Sequence, residues 1–171
     1  MNPTEPKKLA LELKVILDQE FSLLENLLEV MQAERELLVR FQPEQLLELN
    51  KHKELLVLQH SYVERDRVAV SQKLANVLGI ETPNPPLRVL VKAVDGEPGK
   101  QLAELHSKLS AVIDAIQELN ELNRRLIEFS IHSVKNSVAF LKKRFFSTET
   151  YNPKGVINEE IRQLSSVNSR A

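Results

Sequence analysis

Cysteine and tryptophan are both absent from this 171-residue chain; glycine occurs only four times, and aromatic residues make up 5%. Without cysteine there is no disulfide, no thiolate metal site and no thiol nucleophile, which fits a reducing compartment. Without tryptophan, and with few other rings, the core has to be aliphatic, and leucine dominates it. Net charge is almost lacking too. The 23 Lys and Arg against 24 Asp and Glu leave a formal −1, so no global field advertises a nucleic-acid or membrane partner. No run approaches the roughly 18 consecutive apolar residues of a membrane span. The N-terminal MNPTEPKKLALELK is charged from its first turns and has no apolar centre of the signal-peptide kind. The expectation is one soluble, cytoplasmic domain.

Because glycine and proline are sparse, their positions punctuate the chain. They fall at 3, 6, 43, 79, 83, 85, 86, 96, 98, 99, 153 and 155, and the gaps between them are long enough only for helices. The first helix is expected over about Lys8 to Val39, with Leu17, Phe21, Leu24, Leu28, Met31 and Leu38 on a heptad seam interrupted at Arg35. Pro43 suits the first turn of a second helix, about Glu44 to Leu78. A tight antiparallel hairpin follows. The seam of that second helix carries Lys53, His60 and Arg67 among its apolar positions. In an antiparallel pair turning near residue 42, facing positions have a constant sum. Glu34 with Lys53 and Glu20 with Arg67 both sum to 87, so each pair is expected to face across the hairpin and fix its register. The alternative is that the long basic stems snorkel outward from the seam edge.

Residues 79–98 read as a connector with a short helix over Leu87 to Val94, and a third long helix is expected from near Gly99 to Phe146. Its first half keeps one stripe through Leu102, Leu105, Leu109, Val112, Ile116, Leu119, Asn123 and Leu126. Beyond this the stripe changes phase. The apolar positions move to Ile127, Ile131, Val134, Val138, Leu141 and Phe145, which implies a change of packing partner. If this helix starts beside the end of the second, it outruns the hairpin by about 20 Å at 1.5 Å per residue. Residues 135–146 would then lack an intramolecular partner, the mark of a binding surface, unless the helix ends early or the tail folds back over it.

Catalytic constellations are not evident. The histidines at 52, 60, 106 and 132 form no metal-ligand spacing, and His60 with Glu64 is one ordinary helical turn. DGEPGK, residues 95–100, lacks the spacing and preceding strand of a phosphate loop and reads as a turn into the third helix. Neither enzyme activity nor a cofactor is expected. Between 124 and 154 the bases Arg124, Arg125, Lys135, Lys142, Lys143, Arg144 and Lys154 face only Glu128 and Glu149. Such a basic amphipathic segment suits a partner helix better than nucleic acid, for which no reading module is present. A coiled-coil adaptor and a membrane-surface protein, anchored by Phe140, Phe145 and Phe146, remain alternatives.

One further stretch, TETYNPKG at 148–155, sets a tyrosine where the sequence offers it almost no apolar company. Together with EQLLELNKHKELL (44–56) and LNELNRRLIEFSIHSVKNSVAFLKKRF (119–145), in that order, it resembles the FlgN-type flagellar export chaperones. The resemblance implies an all-α, elongated antiparallel bundle of three long helices with coiled-coil packing, a bundle domain over 1–146 and a flexible tail over 147–171. It implies a cytoplasmic chaperone for the hook-associated proteins of the hook-filament junction, without catalysis or cofactor. Carried over, Leu126, Ile127, Ile131, Val134, Val138, Leu141 and Phe145 would capture the client's terminal helical region. Tyr151 would dock on the cytoplasmic domain of the export gate, giving peripheral membrane contact. In the family pattern a glycine often follows that tyrosine, whereas Asn152 stands here.

Overall fold

The computed structural model describes residues 4–146, with side chains from 5 to 145, and every regular element among them is a helix. The order is α1 (Thr4–Arg40), α2 (Pro43–Val77), α3 (Leu87–Ala93) and α4 (Gly96–Phe146). The short connector helix expected over 87–94 is α3. Both α1 and α4 begin three or four residues before the expected starts at Lys8 and Gly99. The reason is the same at both ends: Pro6 and Pro98 lie in a first turn, where backbone N–H groups have no intrahelical acceptor and proline loses nothing.

Between α1 and α2 the chain reverses through a left-handed residue. Phe41 has φ 54°, the amide of Gln42 donates to the carbonyl of Leu37 at 3.1 Å, and that of Phe41 to Leu38 at 3.4 Å. This is the Schellman pattern that satisfies the last carbonyls of a helix. Pro43 then opens α2 with its φ already set. The end of α2 repeats the pattern with glycine in the left-handed position: Gly79 has φ 73°, and Ile80 donates to Ala75 at 2.9 Å.

The chain divides into two units, residues 1–128 and 129–171, with the helix α4 contributing to both. In the first unit, α1, α2, α3 and the start of α4 share one aliphatic core. Leu13 and Leu17 of α1, Leu74 of α2, Leu90 of α3 and Leu102 of α4 are wholly buried in it. The expected seams are its contributors. Leu102, Leu105, Leu109, Val112 and Leu119 are buried, with Ile116 partly so, while Ala10 and Leu13 extend the α1 seam one heptad further than expected.

The register of the hairpin follows the constant-sum rule. Lys53 Nζ lies 2.9 Å from Glu34 Oε2, and Arg67 Nε lies 3.7 Å from Glu20 Oε2. The second pair is looser because Glu64, on the same helix, holds the Arg67 guanidinium through two hydrogen bonds of 2.5 and 2.6 Å. Glu20 also has His60 Nε2 3.4 Å from Oε1. A third helix joins the first pair: Asn123 of α4 donates its amide to Glu34 Oε2 at 2.9 Å. Thus α1, α2 and α4 are pinned by one polar junction, buried at Glu34 and Asn123 and part-exposed at Lys53.

Candidate functional site

The stripe change near residue 127 coincides with a change of environment along α4. Asn123 is buried at 2% exposure, and Leu126 is half-buried. Ile127 lies at the edge of exposure, at 37%. In the second unit no side chain from Val134 to Phe145 is buried or even half-buried. Over these three turns the helix has an apolar face and no covered one among the described residues. The face is built by helical spacing: Ile131, Val134, Val138, Leu141 and Phe145 succeed each other by three or four residues and so share one side. Val134, Val138 and Leu141 are 45–56% exposed, and Phe145 is 67% exposed.

Lys135 and Lys142, seven residues apart, flank this face on one side. Phe129 and Phe140 project from the opposite side of the helix and are also exposed. Phe129 escaped the sequence reading because it lies off the stripe. Its only signal was an aromatic on a face otherwise filled by Ser133, Ser137 and Arg144.

Further back on α4, in the first unit, the basic character is weaker than the sequence window indicated. Arg124 and Arg125 both bond to Glu121, at 2.9–3.1 Å. Glu121 lies just outside the stretch counted. These hydrogen bonds from the two arginines hold the Glu121 carboxyl below the usual carboxylate range, and Arg124 is raised in turn by Glu121. The local excess of positive charge therefore belongs to the residues from Lys135 onward.

No group of three or more metal-ligating side chains exists among the described residues. His60 and Glu64, one turn apart, turn to different partners: His60 to Glu20, and Glu64 to Arg67. DGEPGK forms the bend after α3 and the opening turn of α4, with Gly96 at φ 78°. No described helix is long and apolar enough to cross a membrane. Tyr151 lies outside the described residues, as does Phe146 as a side chain.

The apolar face of α4 has the spacing of a helix-binding surface. No curated protein and no solved structure matches the chain. The model of the FlgN protein family, however, matches residues 9–159, which take in nearly all of α1, the whole of α2, α3 and α4, and the stretch beyond that holds Tyr151. A match across most of the sequence, in the order of its helices, means that the chain belongs to the FlgN family of flagellar export chaperones.

Proposed function

We propose that this chaperone captures the C-terminal helical region of the hook-associated proteins of the hook-filament junction. Capture prevents their premature assembly, and the bound client is delivered to the export gate. The observation that carries the reading is the uncovered run from Val134 to Phe145. An amphipathic client helix laid along Ile131, Val134, Val138, Leu141 and Phe145 buries its own assembly-prone face and theirs together. Each aliphatic side chain so covered contributes on the order of 1–2 kcal/mol. Leu126 and Ile127, expected on the same stripe, lie in the first unit and are less exposed than the rest. Lys135 and Lys142 beside the face favour a client helix carrying acids along that edge. The chemistry is binding and release, with no bond made or broken. Tyr151 is assigned to the gate's cytoplasmic domain, since tyrosine offers a large contact area and a hydroxyl at modest entropic cost.

The test is light scattering coupled to size exclusion, with the full chain alone and mixed with the junction proteins. The expected result is a complex that Val138→Asp weakens at least tenfold, since a carboxylate would have to enter an apolar contact. Tyr151→Ala leaves that complex intact. Because Val138 is exposed, its replacement changes the melting temperature by no more than about 2 °C. A large loss of stability would make the stripe part of a core. Absence of any complex with the junction proteins would reject the client assignment.

A further inference from the structure

A second apolar stripe runs along the outer side of α2, where neither the hairpin seam nor the core reaches. Leu56 points into the bundle and is 5% exposed, whereas Leu55, Leu58 and Tyr62 are 50–52% exposed. Helix geometry places Leu58 about 200° around from Leu56, away from α1. Glu48, Lys51, Leu55, Leu58, Tyr62 and Arg65 follow one another at spacings of three and four, and all six are exposed. Such a seam buries itself only against another helix.

We infer that the partner for this face is a second copy of the same chain, docked α2 against α2 in antiparallel fashion. The argument is self-complementarity. In an antiparallel helix pair, residues in one layer have a constant sum, and a two-fold axis between Leu56 and Val57 sets that sum at 113. Leu55 then meets Leu58 of the second copy, and the two-fold repeats the contact, giving two aliphatic layers at the centre. Lys51 meets Tyr62 of the second copy, an ammonium over a ring face. Glu48 meets Arg65 of the second copy, an opposite-charge pair closing each end.

Two contacts within the helix keep these groups on the outer face. Arg65 stacks on its own Tyr62 ring, with 5.5 Å from guanidinium carbon to centroid, backing the ring on one side. Lys51 is steered by Glu48 at 2.7 Å. A parallel alignment in register would set Glu48 on Glu48 and Lys51 on Lys51, so charge alone selects the antiparallel form. Because the face lies wholly on α2, within the first unit, dimer formation uses none of the α4 residues assigned to the client.

Sedimentation velocity on the full chain over a concentration series tests this. The expected result is a reversible dimer whose dissociation constant rises at least tenfold in Leu58→Glu, in Glu48→Arg and in Arg65→Glu. The double variant Glu48→Arg with Arg65→Glu is expected to recover it, because the pair is re-formed with its signs exchanged. Circular dichroism melts should be little changed, since all three side chains are exposed, and the rescue excludes misfolding as the cause. A monomer at every concentration overturns the inference. So does a dimer indifferent to these variants, one removed by Val138→Asp instead, or a double variant that fails to recover.

Discussion

Asn123 of α4 donates its side-chain amide to the backbone carbonyl of Met31 on α1, at 2.9 Å and across 92 positions of sequence. The same amide reaches Glu34, which Lys53 holds from the other helix. An amide of this kind satisfies a carbonyl and a carboxylate at once, and truncation removes both bonds, leaving Glu34 to Lys53 and the Met31 carbonyl to its own helix. Asn123→Ala is expected to cost about 1–3 kcal/mol of unfolding free energy, read from urea titrations. A loss below about 0.5 kcal/mol would mean that water replaces the amide without penalty.

Glu20 supplies a pH dependence. Burial pushes its carboxyl above the ordinary carboxylate range; the Arg67 charge and His60 act against that rise, and Glu64 adds to it. A raised folded-state value means that the folded chain holds this proton more tightly than the unfolded one. The resulting stabilisation is fully present below the unfolded carboxyl range and is lost as pH rises through Glu20's folded value. Glu20→Gln, which imitates the protonated form, is therefore expected to melt up to a few degrees higher than the parent at pH 7. The gap should close on acidification to about pH 4. Equal differences at both pH values would assign the effect to packing.

Gly99 is required by proximity. A Cβ there would lie 1.9 Å from the carbonyl oxygen of Val94, a backbone atom that cannot rotate aside. Gly79 is required by conformation instead: its φ is 73°, and nothing lies within 4 Å of an added Cβ. Gly99→Ala is expected to cost about 2–3 kcal/mol and Gly79→Ala about 1 kcal/mol, compared by thermal or urea unfolding. The reverse order would show that the bend after α3 yields easily.

Phe41 occupies the left-handed position that Gly79 fills at the other turn, yet its side chain is 66% exposed. Little packing is lost by removing it, and the backbone penalty is relieved. Phe41→Gly is expected to stabilise the protein by about 0.5–1 kcal/mol, the added entropy of the unfolded chain offsetting part of the relieved backbone strain. A destabilised variant would mean that the ring has packing value that its exposure conceals.

Much of this was legible because a helix turns at a fixed rate. The buried run from Leu102 to Leu119 and the emergence of the stripe after Leu126 both follow from spacings of three and four, which composition cannot blur. Glu34 and Lys53 were found because an antiparallel hairpin makes pairing a matter of arithmetic. Short-range competition was harder to read. Glu64 takes most of Arg67, and Glu121 takes Arg124 and Arg125, because a carboxylate one turn away needs no tertiary alignment. Asn123 was placed on its stripe, but its acceptors depend on how α4 is aligned with α1, which the connector hides. The outer seam of α2 is harder to see because the inner seam of the same helix, at the same spacings, already explains a helix there, while Leu55, Leu58 and Tyr62 lie off it. Tyr151 rests on the family resemblance, since it lies outside the described residues.

The junction at Asn123 also bears on the order in which the bundle is assembled during synthesis. The pairings of α1 with α2 are complete once the chain has reached Val77, and they need no later residue. The core positions of α4 begin only at Leu102, and the amide that locks them comes after another twenty-one residues. Contacts so distant in sequence carry the larger loop-closure cost and form late. Until α4 is made, Leu13 and Leu17 lack the cover that Leu102 and its successors give them. Asn123 is the last of the core-lining residues to arrive, and its fit to Met31 and Glu34 certifies that α4 has come in at the right height.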